Sequence, residues 1–121
     1  MQSYNQNLGK IGETIATRYF QQKNFEIIET NFYTKWGEVD IVAKKNNVWH
    51  FIEVKTRTNL SRGRPEEAIT RYKYQRAKRA MLIYLRKKNL MNVLYQIDAL
   101  AILYNTQTNQ ARIRYFPNIF F

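Results

Sequence analysis

Carboxylates are scarce in this chain, and their positions carry its first chemical information. Nine acids stand against twenty lysines and arginines, and only two of the acids are aspartates. Both lie inside apolar runs, Val39-Asp40-Ile41-Val42 and Gln96-Ile97-Asp98-Ala99-Leu100, and Glu53 has the same setting between Ile52 and Val54. A carboxylate in such a run costs stability unless something compensates it. Asn46 and Asn47 separate two strand-like runs, Val39–Ala43 and Val48–Thr56, and asparagine tolerates the positive φ of a tight hairpin turn. With that pair at the turn, antiparallel partners have residue numbers summing to 93, so Asp40 faces Glu53 and Glu38 faces Lys55. Opposed carboxylates with Cβ atoms roughly 4.5–5.5 Å apart repel, and a divalent cation between them reverses the sign. Mg²⁺ takes hard oxygen ligands and leaves positions for phosphate oxygens. Lys55, two residues beyond Glu53, projects from the same strand face. The pattern fits metal-assisted phosphodiester hydrolysis, with Asp40 and Glu53 as metal ligands and Lys55 stabilising charge on the phosphate. It fits equally a salt-bridge cluster of Glu38 with Lys55 and Asp40 with an arginine.

The elements that must position these groups follow from periodicity. Between Asn5 and Lys23, Leu8, Ile11, Gly12, Ile15, Ala16 and Tyr19 fall on one helical stripe. Phe25–Thr30 reads as a strand, and Asn31–Gly37 as an irregular connection. Arg64-Pro65-Glu66-Glu67 starts a helix, with proline in the first turn and acids at the positive dipole end, that runs to about Lys88 with a break near Thr70. Strands Val93–Tyr104 and Ala111–Phe116 close the chain around the polar turn Asn105–Gln110. The expected order is α-β-β-β-α-β-β in one α/β domain spanning residues 1–121.

Composition narrows the function classes. A net charge of +11 favours a polyanionic partner, with nucleic acid first. From Lys55 to Lys88 twelve bases stand against two acids, among them Arg57, Arg62, Arg64, Lys73 and Arg76. That density beside the proposed site suits backbone phosphates and predicts salt-dependent binding. The absence of cysteine removes disulfides, thiolate zinc sites and thiol nucleophiles, and the single histidine, His50, reads as a strand residue. No signal-peptide pattern or membrane-spanning run appears, so a cytoplasmic protein without membrane association is expected. Tyr72, Tyr74 and Tyr84 stack on bases or belong to the core. Asp98 frames the site or is a hydrogen-bonded strand acid, and Phe116, Phe120 and Phe121 cover the sheet or a subunit contact.

Asp40 followed by Glu53-Val54-Lys55 resembles the core of the PD-(D/E)xK nuclease superfamily, although Val39 stands where the superfamily name has proline. Gly37-Glu38-Val39-Asp40-Ile41-Val42-Ala43, Phe51-Ile52-Glu53-Val54-Lys55-Thr56-Arg57, and a first helix with Gly9, Gly12 and Glu13 look like the YraN-like family, related to archaeal Holliday-junction resolvases. The resemblance spans nearly the whole chain. It implies a restriction-endonuclease-like mixed sheet flanked by helices, Mg²⁺ or Mn²⁺ at Asp40 and Glu53, and Glu13 as a further catalytic acid. Glu13 otherwise reads as an exposed glutamate pairing with Lys10 or Arg18. The implied activity is endonucleolytic cleavage of DNA, including branched or structured DNA, and the resolvase relation extends to a homodimer. The competing readings are a non-catalytic nucleic-acid-binding module with the same fold and an RNA-binding accessory protein.

Overall fold

Helix α1 (Tyr4–Gln22) opens the described region, residues 4–121 of a computed structural model. Its stripe buries Ala16 and Phe20 completely. The helix closes at Asn24, whose φ of 68° lets the Phe25 N–H return to the Phe20 carbonyl at 2.9 Å. Five strands follow: β1 (Glu26–Tyr33), β2 (Glu38–Lys45), β3 (Val48–Arg57), β4 (Leu94–Asn105) and β5 (Gln110–Phe116). They lie side by side in chain order, antiparallel except for the parallel β3–β4 pair. A parallel neighbour needs a long crossover, and here a 3₁₀ turn (Pro65–Ala68) and helix α2 (Arg71–Lys87) supply it. The α-β-β-β-α-β-β order expected from the periodicity is the order observed.

The helices cover opposite faces. Phe20 of α1 packs with Ile41, Ile52 and Leu100, whereas Tyr84 and Ala80 of α2 pack with Val42, Phe51 and Ile97. Tyr84 is therefore core, Tyr74 is half-buried and Tyr72 is exposed. Phe120 and Phe121 are exposed, and the Phe121 ring sits 5.6 Å from that of Tyr74.

One boundary differs from expectation. β1 continues to Tyr33, which shortens the expected Asn31–Gly37 connection, because Asn31 absorbs the bend inside the strand at φ 55°. The helical stretch is broken near Thr70 as expected: a 3₁₀ turn ends at Ala68, Ile69 buries its side chain from extended backbone, and the Thr70 hydroxyl caps α2 by accepting the Lys73 N–H at 3.3 Å.

Asp98 proves to be a buried, fully hydrogen-bonded acid. His50 Nδ1 and the Tyr115 hydroxyl each lie 2.6 Å from its Oδ2, and Gln96 Nε2 and the Asn118 N–H donate to its Oδ1 at 2.8 Å. Burial alone would raise its pKa, but these partners outweigh it and hold the carboxyl below its ordinary value. The cluster ties β3, β4, β5 and the C-terminal segment together.

Candidate active site

The hairpin that carries the site has the expected register. Ile41 pairs with Ile52, Val42 with Phe51 and Lys45 with Val48, around Asn46 and Asn47 at φ 51° and 64°. Both turn residues are left-handed, the requirement of a two-residue I′ turn. The paired positions stop at Ile41 and Ile52, so neither Asp40 and Glu53 nor Glu38 and Lys55 are ladder partners as extrapolation would make them. One step beyond that end, the Asp40 Oδ2 accepts the Val54 N–H at 2.7 Å. Strand alternation also breaks at Asp40, since Ile41 joins the α1 cluster while Val39 joins the α2 cluster. The opposing position on β1 is left-handed Asn31, flanked by the pairs Thr30–Ile41 and Phe32–Val39.

Two glycines set how closely the helices approach this point. A Cβ on Gly12 would fall 1.9 Å from the Thr56 Oγ1, so α1 reaches β3 only because the residue beside Glu13 has no side chain. A Cβ on Gly37 would fall 1.9 Å from the Arg76 carbonyl oxygen, so the β1–β2 turn rests on the backbone of α2.

Between α1 and the strands lies an open cleft of about 880 Å³ whose walls include Glu13, Asn31, Tyr33, Asp40, Lys55 and Arg62. Asn31 Nδ2 donates to Glu13 Oε2 and the Tyr33 hydroxyl to Asn31 Oδ1, each at 2.8 Å, which links the helix acid to the strand bend. Thus Glu13, Asp40, Lys55 and Arg62 share one cavity, while Glu53 is half-buried and not among its walls. Burial, and then the charge of Asp40, push the Glu53 carboxyl up to about 9. Burial is also the leading cause for Asp40, which rises to about 6 against the lowering effect of the Val54 N–H, with Glu38 and Glu13 adding to the rise. The Lys73 cation, from the first turn of α2, opposes the shift in both. Lys55 is lowered first by burial and then by Lys73 and Arg57, with Asp40 and Glu53 pulling the other way.

The remaining basic candidates occupy different settings. Arg57 Nη1 donates to the carbonyls of Arg62 and Gly63, which folds the 57–63 loop back on β3. Arg64 is exposed ahead of the 3₁₀ turn, and the Arg76 guanidinium lies 5.9 Å from the centre of the Tyr72 ring. Asn31 and Tyr33 escaped the sequence reading because they fall in a segment taken as irregular. An asparagine within an otherwise β-prone stretch was the available signal.

The donor set suits a hard divalent cation held by few protein ligands. Among the described residues neither Asp40 nor Glu53 forms an ion pair, and their mutual repulsion is what a cation would relieve. Three histidine or acidic side chains do not converge as a ready-made metal cage among those residues, so open positions would fall to water or phosphate oxygens.

Fold and cleft define a basic mixed α/β domain with two electrostatically coupled strand carboxylates and a lysine at an open cavity. The chain belongs to the uncharacterised protein family UPF0102, the YraN-like group, whose profile matches residues 12–102. It is similar to UPF0102 proteins of Alkaliphilus metalliredigens, 38% identical over 94% of this chain and 97% of that one, and of Geobacter metallireducens, 35% identical over 99% and 97%. A UPF0102 protein of Clostridium botulinum is 38% identical over 96% of this chain and 95% of that relative. No helix among the described residues is long and apolar enough to cross a membrane.

Proposed function

We propose that this protein is a metal-dependent endonuclease of the PD-(D/E)xK type, with a restriction-endonuclease-like fold, acting on DNA. The observation that carries the reading is the pair of mutually repelling carboxylates, Asp40 and Glu53, neither in an ion pair among the described residues, coupled electrostatically to Lys55 beside an open cleft in a chain of net charge +11. Asp40 and Glu53 would hold Mg²⁺ or Mn²⁺, which when bound supplies Lewis-acid polarisation of a phosphate and a more acidic water. Lys55 lies where its cation can stabilise the charge developing on the scissile phosphate. Glu13 faces the same cavity and orients Asn31, and Arg62 and Lys73 add positive charge for the flanking phosphates.

Incubation of labelled duplex, single-stranded, flap and four-way-junction DNA, with structured RNA alongside, in Mg²⁺, Mn²⁺ or EDTA tests the reading. Metal-dependent cutting that disappears in both Asp40→Asn and Lys55→Ala, with binding retained, is the expected result. Binding without cutting of any substrate in either metal would replace the enzyme with a non-catalytic nucleic-acid-binding module.

A further inference from the structure

Three solvent-facing aromatic rings occupy β1, the β1–β2 turn and the first turn of α2. Tyr33 is 61% exposed, Trp36 58% and Tyr72 69%. Tyr33 lines the cavity itself, and its hydroxyl bond to Asn31 fixes the ring's position. Trp36 precedes Gly37, the residue seated on the Arg76 backbone of α2. Tyr72 lies one turn before Arg76 and one residue before Lys73, the cation that acts on Asp40, Glu53 and Lys55. The β1–β2 turn and the start of α2 are therefore held together beside the site.

Two of the rings carry their own cation. Lys35 Nζ lies 5.3 Å from the centre of Trp36, and the Arg76 guanidinium 5.9 Å from that of Tyr72. An exposed ring beside a cation that forms no ion pair among the described residues offers a flat face for a base and a charge for its phosphate. In a duplex, base faces are covered by their neighbours, so a ring can stack only on an unpaired base.

We propose that Trp36 and Tyr72, with their partners Lys35 and Arg76, form a stacking platform that selects DNA with unpaired bases next to the cleft. This rests on the nucleic-acid reading above and names its substrate class as single-stranded DNA or the unpaired arm of a branched substrate.

The test is fluorescence anisotropy in EDTA with a labelled 20-nucleotide single strand and the blunt duplex of the same sequence, on the full chain. Base stacking of about 1–3 kcal/mol predicts that Trp36→Ala and Tyr72→Ala each weaken single-strand binding roughly 5- to 150-fold and change duplex binding less than about twofold. Trp36→Phe keeps a ring and should recover most of the affinity. Intrinsic tryptophan emission should be quenched by the single strand in wild type, and the quench should vanish in Trp36→Phe, because the other tryptophan, Trp49, is buried. Equal losses on both ligands, or no loss on either, would overturn the platform. A shift from dimer to monomer with DNA affinity unchanged would assign the rings to a second copy of the chain and overturn it as well. No arm requires cleavage, so a protein that binds with this preference but never cuts would sink the nuclease and leave the platform standing.

Discussion

The Asp40 carboxylate stands in for a strand. In a hairpin whose Lys45–Val48 pair closes the turn, every second pair is hydrogen-bonded, and the series runs through Ile41–Ile52 to Val39 and Val54. Pairing ends before that last step, and the Val54 N–H goes instead to Asp40 Oδ2 at 2.7 Å. A bound backbone donor partly offsets the cost of burying the acid, and the parting of the strands leaves room for a cavity at the carboxylates. One interaction thus ends the ladder and holds a proposed metal ligand in place.

That arrangement makes the metal-free protein sensitive to alkali. Both acids are raised in the folded state, Asp40 to about 6 and Glu53 to about 9, so folding favours their protonated forms. The stability this brings is complete below the unfolded carboxyl values and is lost as pH rises through the folded ones. In EDTA the melting temperature should fall between about pH 5 and pH 9, and Glu53→Gln should flatten the decline, with a gain at pH 9 of roughly 1 kcal/mol or about 4 °C. Mg²⁺ should restore wild type at pH 9 and release protons on binding, measurable by calorimetry in buffers of different ionisation enthalpy. A pH-independent melting temperature would show that the two acids do not oppose each other.

Legibility followed the range of the interactions. The Asn46-Asn47 turn and alternating strands revealed the register because both are local, and the stripe from Leu8 to Tyr19 revealed α1 for the same reason. The bend at Asn31 and Asp40 was hidden, since it is made by two strands breaking regularity together. The hydrogen bonds from Arg57 to the 62–63 carbonyls were hidden too, because a count of bases cannot tell a loop fastener from a free cation. Trp36 and Tyr33 look like core residues by type, and only the fold leaves them in solvent.

The two close-approach glycines should respond differently to alanine. Gly12 meets a side chain, the Thr56 Oγ1, whereas Gly37 meets a backbone carbonyl, that of Arg76. Each substitution should cost on the order of 1–3 kcal/mol in urea unfolding. Thr56→Ala should recover a large part of the Gly12→Ala loss and none of the Gly37→Ala loss. Equal rescue of both would mean that the contacts do not set the helix positions.

Asp98 should be structural in its effects. Its carboxyl is held below the ordinary value, so its contribution is present at neutral pH and is lost as pH falls below about 4. Asp98→Ala leaves His50, Tyr115 and Gln96 without their acceptor and should cost about 3–5 kcal/mol at pH 7. It should leave Mg²⁺ affinity unchanged at temperatures where the variant is folded, because Asp98 takes no part in the cleft wall. A loss of metal binding with little loss of stability would move Asp98 into the site.

Lys73 joins the proposed phosphate-binding surface to the acids, and its removal should be felt in both. If it contacts one backbone phosphate, Lys73→Ala should reduce the slope of log K against log salt by about 0.9 on duplex DNA. The same cation lowers the proton affinity of Asp40 and Glu53, so its loss should move the acidic limb of the activity profile to higher pH. It also lowers Lys55, whose limb should rise as well. The whole profile should therefore shift toward alkali while its width changes little. A smaller salt slope with an unmoved profile would restrict Lys73 to binding, and an unchanged slope with a moved profile would restrict it to tuning the site.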